Sequence, residues 1–333
     1  MNCHHIVYTP FTGVGLHGGM RGQKWLKERI EIFKNYTLKS FLNQSNRKFV
    51  HWFSFRPEEA SNPLIQELGE YFKKIDYSFI FTFEGLMYHD DKFTSFTVRT
   101  VARNLFMMLW DCWRYKQIKN PLEIIKYSFQ NKNKTLPHRL DKTLFTLRNI
   151  LPSAEWVFLT RIDSDDMLHK DAIQLIQDIP PEERRAIVMD KGFILNKQTG
   201  QLADWNPTTN PPFHTIIFPY YVFIDPMQHL YYYKEYKSHE DITKIFNCIS
   251  LPRNKYLYLT HGGNISTYWY TNQYYLVTTG HMNIGTRWNL SKLRIWWLKK
   301  KNPILIPQRA IHPFIGREYI GEEKQKILIQ FGL

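Results

Sequence analysis

Glu155-Trp156-Val157-Phe158-Leu159-Thr160-Arg161-Ile162 runs directly into Asp163-Ser164-Asp165-Asp166. Residues 155–162 form a compact, mostly apolar run closed upstream by Pro152, the pattern of a buried strand. Leu168, Ala172, Leu175 and Ile176 then recur at helical spacing, so the acidic cluster is expected at a strand-to-helix junction. In an open α/β sheet, ligands bind at such a junction, beyond the carboxyl ends of the strands. Carboxylates this close repel one another and are poorly suited to a sheet interior. A cation relieves the repulsion, and two carboxylates with phosphate oxygens and water suit Mg²⁺ or Mn²⁺. The same residues also read as an acidic loop capping the next helix.

Working outward, residues 5–11, 48–55 and 77–83 read as strands, with helices over 23–42 and 63–74 between them. This β-α-β-α-β order predicts a parallel sheet covered on both faces. Residues 97–117, 122–129 and 139–150 read as helices. Residues 186–190, 193–195 and 202–205 read as strands, with a hairpin turn at 197–200. A Pro-rich loop follows at 206–212, then a helix over 239–246, a strand over 255–260 and a helix over 290–300. No repeat or linker divides the chain.

With 43% hydrophobic and 22% charged residues over 333 positions, the composition excludes a disordered chain. Cys3, Cys112 and Cys248 are far apart and show neither metal-ligand spacing nor a disulfide framework. With no basic region and long apolar run at the N-terminus and no apolar stretch of membrane-spanning length, the expected location is cytoplasmic. The net charge of +14 reads either as a solvated basic surface or as attraction to an acidic partner. Its excess is uneven: residues 114–148 hold nine Lys/Arg against two acids, and residues 287–301 hold six against none. Residues 290–301 (LSKLRIWWLKKK) combine apolar and basic side chains, as a helix packed on the core or one lying peripherally at a membrane surface would.

The run TRIDSDDMLHKDAI, residues 160–173, resembles the strand–DxDD–helix segment of inverting glycosyltransferases of the GT-A type. More narrowly it is similar to the bacterial rhamnosyltransferase-like group, in which arginine, an aliphatic residue and an aspartate-rich cluster occur together. WLKERIEIFKNYTLKSFLNQSNRKFVHWFSF and GFILNKQTGQL are similar to that group as well. The resemblance implies a GT-A-like (Rossmann-like) α/β fold, with a mixed, mainly parallel sheet flanked by helices and a C-terminal extension. It places the catalytic domain at 1–270, with a nucleotide-sugar half at 1–168 and an acceptor half at 169–270, and a basic, aromatic extension at 271–333. It implies that Asp163 and Arg161 contact nucleotide or sugar, that Asp165 binds a divalent cation, Mn²⁺ or Mg²⁺, and that Asp166 supports them.

Other residues join the site on this reading. Gly13-Val14-Gly15-Leu16-His17-Gly18 spells a dinucleotide-binding pattern, but the second strand runs into Arg56 where an acid is expected. A Gly-rich loop at the donor mouth, with Arg21 or Lys24 meeting phosphate, fits better; a turn with no ligand is the plain alternative. Asp91, after the third strand, is expected either to contact the nucleotide or to lie in a solvent loop between strand and helix. Glu240 or Asp241, in Ser238-His239-Glu240-Asp241, would remove the proton of an acceptor hydroxyl; a helix N-terminal cap is the competing role. His261 would complete the metal shell, and Trp205 and Trp269 would stack on acceptor sugar, or simply pack in the core.

The expected partners are a nucleoside-diphosphate sugar and a glycan or lipid-linked glycan, with peripheral membrane contact as an option and nucleic acid not expected. The competing reading is a non-catalytic basic protein that binds nucleic acid or a membrane surface.

Overall fold

The computed structural model describes residues 2–12, 23–86, 88, 122, 136–207, 213–233, 239–261 and 315–333. Twelve strands are found among them: β1 (Cys3–Pro10), β2 (Val50–Ser54), β3 (Phe79–Thr82), β4 (Trp156–Arg161), β5 (Met167–Leu168), β6 (Arg185–Val188), β7 (Gly192–Asn196), β8 (Leu202–Trp205), β9 (His214–Pro219), β10 (Asn247–Ser250), β11 (Tyr256–Thr260) and β12 (Ile315–Tyr319). Seven form a large sheet in the order β10-β6-β9-β4-β1-β2-β3, and five form a small one in the order β12-β8-β7-β11-β5. In the large sheet β1, β2, β3 and β4 are mutually parallel, and β9 is antiparallel to both neighbours. The expected mixed, mainly parallel sheet flanked by helices is the observed architecture.

The sequence explains the two covered faces. Alternate side chains of a strand point to opposite faces, so a strand buried on both must be apolar throughout. On one face Phe53, Phe55 and Phe158 pack with Leu26, Ile30, Phe33, Phe41 and Phe72 of the helical segments 23–42 and 63–74. On the other, Tyr8, Trp52, Leu159 and Phe218 meet Leu140, Leu144 and Leu147 of Leu136–Ile150 and Phe223 of Tyr220–Ile224. Each such side chain contributes about 1.5–3 kcal/mol of burial. Polar side chains within the sheet are paired laterally: His51 joins Thr9 and Tyr77 at 2.8 and 2.7 Å, and His5 joins Thr160, which joins Thr215.

Three features depart from the sequence reading. Leu168 is not in a helix: the acidic cluster is followed by the short strand β5, and the helix begins only at Ala172. Two residues of edge pairing with β11 displace the first turn that the apolar spacing suggested. Strand β9 and the helix Tyr220–Ile224 arise from residues 213–224, an apolar run interrupted by Pro219 with neither a twofold nor a helical period. Residues 315–333, assigned by sequence to an extension starting at 271, are built into the small sheet. Strand β12 pairs with β8, and the helix Gly321–Ile329 leads to Phe331, which is wholly buried beside Met167 and Phe193. Residues 97–117, 123–129 and 290–300 lie outside the described set. No described helix is long and apolar enough to cross a membrane.

Candidate functional site

The acidic cluster is the elbow between the two sheets. The parallel pairing of β1 with β4 ends with Tyr8 opposite Arg161, and the amide of Ile162 still donates to the carbonyl of Tyr8 at 3.1 Å. The chain then turns, Asp166 N–H donating to the Asp163 carbonyl at 3.3 Å, and enters β5 of the small sheet. Strand β5 pairs antiparallel with β11, Met167 opposite Leu257, so β11 runs back alongside the cluster. Its Leu259 N–H donates to Oδ1 of Asp166 at 3.1 Å, and His261 follows two residues later. The register of a strand pair therefore delivers His261 to the aspartates.

Asp165 is the centre of the arrangement. Its Oδ2 accepts from Nε2 of His261 at 2.9 Å and from Nη1 of Arg29 at 2.5 Å. The side chains of Arg29 and Asp165 are only 7% and 10% exposed. Burial alone would raise this carboxyl, but the Arg29 charge and the His261 hydrogen bond outweigh it and hold the group below the usual carboxylate range. Asp166 is the opposite case. Burial and the charges of Asp165 and Asp163 push it well above the usual range, against the Leu259 hydrogen bond. Asp163, at the mouth with 40% of its side chain exposed, faces Arg161 at 3.5 Å. Partial removal from water raises it, the Arg161 charge opposes, and the Asp165 charge raises it further.

Arg29 was not among the sequence candidates. It lies on the helix Gln23–Ile32, four residues after Trp25, over whose ring its guanidinium sits at 5.3 Å. The signal lay in the helical pattern: position 29 falls among Leu26, Ile30 and Ile32, so a basic residue occupies the buried stripe of the helix. Such a charge needs a buried counter-ion.

Arg161, Asp163, Asp165 and His261 are thus brought together. Asp241 belongs to the turn His239–Asp241; it pairs with Lys244 at 2.9 Å and is 19% exposed. That turn lies toward the same edge. His214, opposite Arg161 in the β4–β9 pairing, is held well below its ordinary value by burial and by the positive charges of Arg161 and His239. Trp205 is 5% exposed and stacks on Tyr258 in the core, which leaves its ring little room for a sugar. Lys24 lies exposed in the first turn of its helix. Arg21, Asp91, Trp269, the Gly13–Gly18 motif and the side chain of Glu240 lie outside the described residues.

Asp165 and His261, in contact at 2.9 Å, are the side chains that could share a divalent cation. Among the described residues no three His, Cys, Asp or Glu side chains share one metal position. A cation here would therefore take Asp165 and at most one further side chain at once, and complete its shell from a bound anion and water. At His261 it would displace the Nε2 proton now given to Asp165.

No family model matches the chain, and no curated protein matches it. The crystal structure of S. aureus TarS, residues 1–349, aligns with a TM-score of 0.32 and 13% identity, over 78% of this chain and 60% of that one. The aligned part is less than two thirds of that protein's chain, and a likeness of this size carries no argument about activity.

Proposed function

We propose that the protein is a glycosyltransferase that moves a sugar from a nucleoside-diphosphate donor to a hydroxyl of a glycan or lipid-linked glycan. The observation that carries the reading is the convergence of Asp163, Asp165, Arg161, Arg29 and His261 at the carboxyl edge of β4. A diphosphate is a dense anion, and a pocket that binds it needs fixed cations or a bound metal. Arg161, 11% exposed beside Asp163, would meet an approaching phosphate, while Arg29 keeps Asp165 ionised and in position. Asp165 and His261 would hold Mn²⁺ or Mg²⁺, with Asp163 on the sugar or nucleotide side. When bound, such a cation supplies Lewis-acid stabilisation of the departing diphosphate.

The acceptor proton would go to a carboxylate on the neighbouring turn, Asp241 or Glu240. Lys244 fixes Asp241 from one side and leaves it a partly exposed carboxylate. An inverting outcome accords with a base separate from the donor-binding acids.

The test is a thermal-shift screen of nucleoside diphosphates with and without Mn²⁺. Stabilisation by one of them only in the presence of metal is expected, of about 2.7 kcal/mol at a hundred times the dissociation constant. Asp165→Asn should remove the metal-dependent part. Binding that is indifferent to both metal and Asp165 would overturn the reading. Salt-sensitive polyanion binding without any nucleotide effect would favour the non-catalytic alternative.

A further inference from the structure

An open groove of about 500 Å³ lies between the helical segment 33–42, the turn after β7 and the helix Gly321–Ile329. Three lysines line it, each from a different part of the chain. Lys39 comes from the helix Leu38–Leu42, Lys197 from the turn between β7 and β8, and Lys324 from the helix Gly321–Ile329. A Cβ built on Gly200 would lie 3.5 Å from Nζ of Lys324, so that amine reaches across the groove to the turn. Four described lysines form ion pairs with carboxylates, Lys73, Lys170, Lys244 and Lys326, and none of them lines the groove. Three lysines lining one concavity make it positively charged, which suits an anion.

A second observation points the same way. Asn196, 7% exposed, lines the groove at the end of β7. Its Oδ1 accepts from the amides of Gln198 and Thr199 at 2.9 and 3.4 Å, which fixes the side chain. No acceptor for its Nδ2 is found among the described residues, so this donor is left for a ligand of the groove. Tyr36 and Leu328 add an apolar wall. Tyr36 belongs to the π-helical stretch Phe33–Thr37, an irregularity that recurs at functional positions in helices.

The turn that carries Lys197 is tied to the strand that leads to His261. Asn196 pairs with Thr260, and the Lys197 N–H donates to the Thr260 carbonyl at 2.8 Å, one residue before His261. Tyr36 of the groove lies on the helical segment that carries Arg29, about 10 Å further along it at 1.5 Å per residue.

We propose that this groove binds a phosphate-bearing ligand through Lys39, Lys197, Lys324 and the amide of Asn196, and that it is the acceptor side of the site. The binding claim stands on the groove alone; the acceptor role rests on the transferase reading above. The volume exceeds what an inorganic ion fills, and Tyr36 and Leu328 suit the apolar face of a sugar carrying the phosphate.

The decisive variant is Asn196→Asp. It keeps the acceptor that holds the turn and replaces the free donor with a negative charge, so the fold should persist. Binding of tripolyphosphate, glucose 6-phosphate and glucose would be measured by calorimetry, with nucleoside diphosphates in the presence of Mn²⁺ in parallel. Phosphorylated probes should bind the wild type and glucose should not. Asn196→Asp and the triple change Lys39→Gln, Lys197→Gln, Lys324→Gln should each weaken the phosphorylated probes by about ten-fold or more, a change of 1.4 kcal/mol per decade. Lys73→Gln and Lys326→Gln, which alter exposed lysines elsewhere, should leave them unchanged. Tripolyphosphate binding without glucose 6-phosphate binding would assign the groove to free polyphosphate and overturn the acceptor role. Equal losses in the control lysines, or no binding by the wild type, would overturn the site. If the nucleoside diphosphates fail to bind while the groove variants behave as expected, the transferase reading fails and the groove stands.

Discussion

Nη1 of Arg29 lies 2.5 Å from Oδ2 of Asp165, and both side chains are about nine-tenths buried. This pair fastens the helix Gln23–Ile32 to the elbow between the two sheets. A charge taken from water is tolerated when its partner is also buried, so removing either member strands the other.

Arg29→Met should therefore destabilise the protein by about 3–5 kcal/mol, read as a lower urea midpoint. Asp165→Asn in the same background should recover part of the loss, because the stranded carboxylate is gone. A double-mutant cycle with no coupling would show that the pair holds nothing together.

Asp166→Asn should act in the other direction. The carboxyl of Asp166 is raised by burial and by its two acidic neighbours, and the Asn Oδ1 can still accept from Leu259. With a folded value above the unfolded one, Asp166 favours folding most at low pH and progressively less as pH rises. The variant should be more stable than wild type at pH 7, by about 1 kcal/mol or more, with the gain shrinking toward pH 4. Melting curves at the two pH values measure it. A gain that is constant with pH would contradict the electrostatic cause.

Four buried histidines should make the fold acid-labile. Burial lowers His5 to about 3 and His229 to about 4, and holds His51 and His214 well below their ordinary value. In the unfolded chain each titrates near 6.5, so below that pH only the unfolded state takes up these protons. Each histidine then costs the fold up to about 1.4 kcal/mol per pH unit until its folded value is reached. Asp165, with a lowered value, loses its contribution only below the usual carboxylate range, outside this window. Urea midpoints measured from pH 7.5 to pH 5 should fall steadily from about 6.5; a flat profile would rule the account out.

Gly192→Ala tests the seam that carries His261. A Cβ at Gly192 would sit 2.5 Å from the Tyr256 carbonyl oxygen and 2.8 Å from its ring. Tyr256 is buried against Phe213, ring centroids 4.2 Å apart, and cannot move aside cheaply. The strands β7 and β11 must part, at about 1–3 kcal/mol for overpacking. Because β11 leads to His261, affinity for the nucleoside diphosphate should fall together with the melting temperature. Lower stability with unchanged affinity would separate the seam from the site.

The amino-acid sequence alone determined the parallel β1–β4 sheet, its helical covers and the position of the acidic cluster at a strand end. Those are local properties: apolar runs, helical periodicity and a carboxylate cluster where a strand stops. The helix over 63–74 and the strand over 202–205 are readable to the residue because Asn62 and Pro63 open one, and a turn ending at Gly200 precedes the other. Strand β9 was not readable, because an apolar run cut by a proline has no period to identify it. Nor did the spacing reveal that the cluster enters a second sheet, since Met167 and Leu168 suit a strand and a helix equally.

Tertiary structure alone decided what Asp163-Ser164-Asp165-Asp166 faces. Arg29 and His261 are remote from it in sequence and reach it through helix packing and the β5–β11 register. The different protonation tendencies of Asp165 and Asp166 follow from that, because neighbouring carboxylates with the same covalent structure differ only in the charges and burial the fold supplies. The groove of Lys39, Lys197 and Lys324 is of the same kind: three ordinary surface lysines in the sequence, gathered into one concavity only when the C-terminal helix closes the small sheet.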